Sequence, residues 1–216
     1  IRDRLSLVGS EMCIRDSNAS IEAQKKVCTM TLDQREQIIS LIRKKTHENA
    51  EILANMGVNE TGMGNVGDKI LKHHLTADKV PGTEDISTIA WSGDRGLTLV
   101  EMGPFGVIGA ITPATNPSET VICNCIGMLA GGNTVVFNPH PNAKKTTIYT
   151  INMINEASIE AGGPDNIAVT VEAPTLDTSA IMMKHPSIHL LVATGGPGVA
   201  VSYTHLRAHE TKANLV

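Results

Sequence analysis

Three short loops, with a few cysteines and histidines, are the residues of this chain whose types and spacing suit chemistry. Thr112-Pro113-Ala114-Thr115-Asn116-Pro117 is stiffened by two prolines and sets Asn116 just before a predicted helix. Such an asparagine either caps the helix or offers its side-chain N–H to a developing oxyanion, a role that needs rigid placement. The residues alone favour the cap. Asn138-Pro139-His140-Pro141, followed by Lys144 and Lys145, holds donors suited to a nucleotide ribose or phosphate, although a turn and a solvated helix face account for it more simply. Thr194-Gly195-Gly196-Pro197-Gly198 lets a ligand approach the backbone closely, with helix N–H groups beyond it to meet a phosphate. It is not GxGxxG, and a plain tight turn has the same composition. Cys123 and Cys125 lie two apart on a predicted helix, so they diverge. No basic neighbour lowers a thiol pKa there, and both read as core thiols. His73-His74 and the pair His205 and His209 lack a third ligand nearby, so no metal site is expected. Lys25-Lys26 and Arg43-Lys44-Lys45 read as solvated helix faces.

The elements that must position these loops follow from periodicity. Residues 20–55 read as helical, with Thr31 and Gln34 forming a capping box and Gly57 as the stop. Glu60–Gly64 reads as a turn, followed by a short helix through Ile70 and Leu71. Residues 78–96 read as an irregular connection. Leu97–Glu101 alternates like a half-buried strand, and Val107–Ile111 is a continuous apolar strand. A helix from Pro117 to Leu129 follows, with proline at its start. Then come a strand at Thr134–Phe137, a helix at 142–161, a strand at Ile167–Val171, a helix at Thr175–Lys184 and a strand at Ile188–Ala193. Continuous apolar strands between amphipathic helices predict an α/β fold, a parallel doubly wound sheet. Ligands then sit beyond the carboxyl ends of the strands. All three loops directly follow a predicted buried strand.

Length and charge bound the rest. The 216 residues carry a formal net charge of −4, which excludes a nucleic-acid binder held by bulk charge. No apolar run approaches the length of a membrane span, and four cysteines show no paired spacing. The chain begins at Ile1, and residues 1–17 and 202–216 fit nothing between them. Both ends resemble translated sequencing-adaptor text from assembled metagenomic reads. They are set aside as non-native, leaving an N-terminal helical region and connection at 18–95 and an incomplete α/β domain at 96–201.

The segments Pro104–Pro113 with Asn116-Pro117, Gly132–Phe137 and Ala193–Gly196, in this order and spacing, resemble the aldehyde dehydrogenase superfamily. Glu60–Gly64 with Asp68-Lys69, Gly96–Glu101, Asn138–Lys145 and Gly162-Gly163-Pro164 are similar to its CoA-acylating branch, the propionaldehyde and acetaldehyde dehydrogenases of bacterial microcompartments. The resemblance runs from about residue 20 to residue 201. It implies a Rossmann-like NAD-binding domain and oxidation of a small aldehyde through a cysteine thiohemiacetal, with NAD as hydride acceptor and CoA as acyl acceptor. It implies Asn116 as the oxyanion-stabilising amide. Ile111, Thr112, Pro113 and Ala114 then line the cofactor side, and Asn138, Pro139 and His140 lie by the adenine ribose. Pro174 and Thr175 flank the adenine, and Thr194, Gly195 and Gly196 approach the diphosphate and nicotinamide. Asn138 stands where hydrolytic members carry lysine, which leaves NAD versus NADP open. The family nucleophile lies downstream of the Thr-Gly-Gly turn, so an N-terminal fragment without activity of its own is expected, and Cys123 and Cys125 match no catalytic position. A sheet cut there leaves an apolar face and a strand edge exposed, which predicts poor solubility. The resemblance further implies a homo-oligomer, cytoplasmic and in some members microcompartment cargo. The alternatives are the aldehyde half of a bifunctional aldehyde–alcohol dehydrogenase and a noncatalytic nucleotide-binding or scaffold module.

Overall fold

The computed structural model describes residues 10–196, with side chains from Asn18 onward. Residues 1–9 and 197–216, which hold Pro197, Gly198, His205 and His209, lie outside the described residues. Three helices come first: α1 (Ser10–Val27), α2 (Leu32–Thr61) and α3 (Val66–Lys79). The helix α1 crosses residue 17 without a break. The Thr31–Gln34 capping box forms as read, with Thr31 Oγ1 accepting from Gln34 N at 3.2 Å and Gln34 Oε1 accepting from Thr31 N at 2.9 Å. The apolar stripe Ile38, Ile39, Ile42 and Leu53 is fully buried.

Gly57 does not end α2. The helix runs another turn to Gly62, whose left-handed φ of 68° closes it. The extension is held from outside: the Glu60 carboxylate accepts from Lys145 N and Thr146 N, both at 2.7 Å. A negative charge on exposed N–H groups at a helix start is favourable, and that tertiary contact keeps Glu60 helical. Arg43 is likewise no solvated surface residue. Its guanidinium donates to Ala77 O at 2.7 Å and Val80 O at 2.8 Å, satisfying carbonyls at the end of α3.

The stretch read as irregular contains a strand. β1 (Ile89–Gly93) pairs antiparallel with β2 (Gly96–Val100) across the Asp94-Arg95 turn. Both strands are exposed along their whole length, so β2 is not half-buried. Alternation along the chain promised one covered face, but no described element packs on Trp91, Leu97 or Leu99, which stay exposed.

The second half is the doubly wound unit: β3 (Val107–Thr112), α4 (Pro117–Ala130), β4 (Thr134–Pro139), α5 (Lys144–Glu160), β5 (Ala168–Thr170), α6 (Leu176–Lys184) and β6 (Ile188–Ala193). The sheet is parallel with strand order β5-β4-β3-β6. Every residue of β3 and β4 is buried, as strands covered on both faces must be. On one face Phe137, Val135 and Ala110 pack with Ile122, Ile126 and Ile154 of α4 and α5, over the α2 stripe. On the other, Val107, Ile111 and Val136 pack with Met182 and Met183 of α6, and α1 lies alongside. The side chain of Gln24 pins α1 there, accepting from Thr134 N at 2.6 Å and donating to Gly132 O at 2.8 Å.

Gly109 in mid-β3 is required by close approach, since a Cβ there would sit 2.5 Å from Leu191 Cδ2. The chain winds from β3 out to β5, then returns to place β6 on the other side of β3. Loops leaving β3 and β6 therefore diverge at their carboxyl ends, opening a crevice at this switch point.

Candidate active site

Three backbone arrangements gather the loops at that crevice. Thr194 N donates to Ile111 O at 3.0 Å and His140 N donates to Thr112 O at 3.1 Å, so the exits of β4 and β6 are both tied to β3. The third is the start of α6. Thr175 and Thr178 form a reciprocal capping box, with N-to-Oγ1 distances of 3.1 Å and 2.8 Å. This box holds Pro174-Thr175 beside the crevice.

The result is a cavity of about 510 Å³, within the usual range for small-molecule sites. Ile111, Thr112, Pro113 and Ala114 line it from β3, and Asn138, Pro139 and His140 from β4. Pro174 and Thr175 close one side, and Thr194, Gly195 and Gly196 the other. Thr115, Pro141, Leu176 and Ser179 complete the wall. Thr115 and Pro141 sit in loops the residues already marked. Leu176 and Ser179 were missed, and the only available signal was helical spacing, because Ser179 lies one turn beyond Thr175. Lys144 and Lys145 do not line the cavity and are exposed.

Not every wall residue is free to bind. Asn138 is 2% exposed and spends its amide internally. Its Nδ2 donates to Ser179 Oγ, and its Oδ1 accepts from Thr178 Oγ1 at 3.4 Å. Asn138 thus fastens α6 to β4, and its own amide is occupied. The Thr112 hydroxyl is the opposite case, buried in the wall without a hydrogen-bond partner among the described residues. A buried polar group left unpaired is costly, which fits a ligand group meeting it. His140 Nδ1 accepts from Asn142 N at 3.1 Å, so the proton of the neutral ring sits on Nε2.

Asn116 does not join this cavity. It lines a second one of about 280 Å³ with Lys72, Thr76, Glu119, Thr120 and Cys123, on the other side of the same loop. It occupies the N-cap position of α4, yet its side chain makes no cap hydrogen bond. The cap favoured by the residues alone is therefore not what forms. Asn116 Oδ1 instead accepts from Lys72 Nζ at 3.3 Å, and an ammonium donor makes a stronger bond than a backbone N–H. Beneath it lies a buried polar group. Lys69 Nζ donates to Thr115 O at 2.9 Å and lies 3.4 Å from Glu119 Oε1.

His73 and His74 diverge, as adjacent helical residues do. His74 stacks on His47 with ring centroids 4.8 Å apart, whereas His73 is fully buried. In its neutral form His73 donates through Nδ1 to Lys69 O at 2.6 Å and accepts at Nε2 from Ser118 Oγ at 2.8 Å. Burial holds His73 below its ordinary value of 6.5. The unfolded chain then takes up a proton that the folded chain refuses, so stability falls as pH drops below about 6.5, levelling off beneath the folded value. A His73→Gln variant is expected to flatten that slope of unfolding free energy against pH; equal slopes in both proteins would contradict the assignment. Cys123 and Cys125 are pushed up by burial, Cys125 completely so, which keeps both thiols protonated and inert.

The profile of the aldehyde dehydrogenase family matches residues 6–214. The chain belongs to the aldehyde dehydrogenase family. An acetylating acetaldehyde dehydrogenase of Bilophila wadsworthia is 50% identical over 181 residues, which are 84% of this chain and 37% of that one. A propionaldehyde dehydrogenase from the fucose-utilisation microcompartment of Clostridium phytofermentans superposes with a TM-score of 0.88 at 68% identity, over 90% of this chain and 45% of that chain. A Rhodopseudomonas palustris propionaldehyde dehydrogenase with bound propionyl-CoA gives 0.86 at 44% identity, over 88% of this chain and 43% of that chain. This aldehyde dehydrogenase chain therefore spans less than half the length of those relatives.

Proposed function

We propose that this chain is the N-terminal, cofactor-binding segment of a CoA-acylating aldehyde dehydrogenase, which converts a small aldehyde, CoA and NAD into acyl-CoA and NADH. The convergence of the three loops on one cavity, with Asn116 held at the edge of a second, carries the reading. The larger cavity is the nicotinamide cofactor site. Its wall fits such a group: it is mostly apolar, it is formed at a switch point, and it contains the unpaired Thr112 hydroxyl. When bound there, the dinucleotide supplies the hydride acceptor.

The residues of this chain then act around it. Pro174 and Thr175 form the wall for the adenine, Pro139 and His140 that for its ribose. Thr194, Gly195 and Gly196 leave room for the diphosphate. Asn138 holds α6 in place so that this wall persists. Among the described lining residues there is no carboxylate, the usual partner of an NAD ribose, and no arginine, which commonly receives a 2′-phosphate. Asn116 donates from Nδ2 to the oxygen of the aldehyde as negative charge gathers there during attack. The attacking thiolate comes from the part of the complete enzyme downstream of this segment, and CoA enters to take the acyl group. The microcompartment origin of the 68%-identical relative supports packaging of the complete enzyme as microcompartment cargo.

The test is a pair of assays of CoA-dependent NADH formation from propionaldehyde. The 216-residue chain alone is expected to give none. A complete chain, in which residues 18–196 replace the matching segment of the Clostridium phytofermentans enzyme, is expected to turn over. Turnover by the 216-residue chain itself would refute the segment reading.

A further inference from the structure

The geometry points to Lys72 as a positioning residue that sets which end of the Asn116 carboxamide faces the reacting carbonyl, and we propose it in that role; this rests on Asn116 being the oxyanion donor.

A carboxamide has an acceptor end and a donor end of nearly the same shape, so a flip about its last torsion reverses its chemistry at no steric cost. As an oxyanion donor Asn116 works only with Nδ2 toward the substrate. Turned round, it presents an oxygen to a developing oxygen anion and raises the barrier. Something must choose between the two states, and neither the helix cap nor burial does. Asn116 makes no cap bond, and Nδ2 has no hydrogen-bond partner among the described residues.

Lys72 makes the choice. An ammonium carries three donors and no acceptor. The carboxamide atom 3.3 Å from Lys72 Nζ must therefore be Oδ1, which leaves Nδ2 as the end available to the cavity that both residues line. The alternative flip would set two donors against each other. Among the described residues Lys72 forms no ion pair with a carboxylate.

Its helix holds the loop at a second point. Lys69, one turn earlier on α3, binds the carbonyl of Thr115 at 2.9 Å. Two lysines three apart thus grip two successive residues, Lys69 fixing the backbone and Lys72 fixing the side chain. Lys72 is exposed while Lys69 is buried, so the two contributions are separable by mutation.

The test uses the complete chain described above, assayed with propionaldehyde, CoA and NAD. Lys72→Met is expected to lower kcat about tenfold, the lower end of the loss typical for removing a partner that orients a catalytic group. KM for NAD should be unchanged, because Lys72 does not line the cofactor cavity. Lys72→Arg, which also only donates, should restore most of kcat. On an Asn116→Ala background, Lys72→Met should cost nothing further. A kcat unchanged in Lys72→Met overturns the proposal. So does an equal loss on the Asn116→Ala background, which would mean that Lys72 acts on the substrate directly. If Asn116→Ala itself leaves kcat unchanged, the oxyanion reading fails and this inference fails with it. Loss of kcat in Asn116→Ala with full kcat in Lys72→Met would overturn this inference while leaving the oxyanion reading standing. Matching melting temperatures across the set exclude a folding cause.

Discussion

Replacing Asn116 by alanine is expected to lower kcat of the complete enzyme by about 10²–10³-fold, the usual cost of deleting one oxyanion donor. The loss should appear equally in kcat and kcat/KM, since the interaction is made only as charge develops on the aldehyde oxygen. KM for NAD should hold, because Asn116 lines the smaller cavity and not the larger one. The competing expectation is specific. Were Asn116 a helix cap, alanine would cost about 1 kcal/mol of stability, and Asn116→Ser, a good cap, would behave as wild type. The structure gives the side chain no cap bond, so Asn116→Ser should be as inactive as alanine. Asn116→Asp should fare no better, since a carboxylate beside Lys72 keeps the ammonium but offers no donor to the substrate. Steady-state kinetics on the three variants decide the matter: activity in Asn116→Ser would return the residue to a capping role.

The second large effect lies one layer down. Lys69→Met is expected to destabilise the fold by about 3–5 kcal/mol, the range for removing one partner of a buried ion pair. The side chains of Lys69 and Glu119 are only 4% and 7% exposed. With the ammonium gone, Glu119 keeps one side-chain hydrogen-bond partner among the described residues, Ser118 Oγ at 3.2 Å. The single hydroxyl hydrogen of Ser118 is already drawn to His73 Nε2 at 2.8 Å. The carboxylate is left buried without a full donor, and the Thr115 carbonyl loses its partner as well. Adding Glu119→Gln to Lys69→Met removes the stranded charge and should recover part of the loss. Urea unfolding midpoints measure both steps. A shift of Lys69→Met below about 1 kcal/mol, the value of a solvated pair, would show that water reaches the site. Because Lys69 also holds the loop that carries Asn116, kcat should fall in this variant even where the protein remains folded.

Much of this was legible in the chain itself. The buried strands β3 and β4 read directly, since uninterrupted runs such as Val107–Ile111 and Thr134–Phe137 are what two covered faces demand, whereas β6, expected to be buried, lies at the sheet edge with only Ile188 and Leu191 buried. The capping box at Thr31 depends on residues three apart and needs no tertiary partner. What failed depended on distant contacts. Gly57 looked like a stop because propensity is local, whereas Glu60 is kept helical by α5, some 85 residues away. The β1 strand hid in a polar stretch because its pairing with β2 buries nothing. Arg43 looked solvated because its acceptors, Ala77 and Val80, lie on another helix.

The site divides along the same line. The order of apolar strands and punctuating loops determined by itself that a doubly wound sheet forms and that its three loops lie beyond the strand ends, because strand polarity and right-handed crossovers leave little choice. It marked too three of the backbone stretches that line the larger cavity. Only the tertiary structure decided what each side chain does there. Asn138 turns out to be a fastener of α6, because both ends of its amide meet hydroxyls of the first turn of that helix. Asn116 is drawn out of its cap, because α3 brings a lysine to it from 44 positions earlier. A side chain chooses its partner by energy among the groups within reach, and which groups are within reach is set by packing.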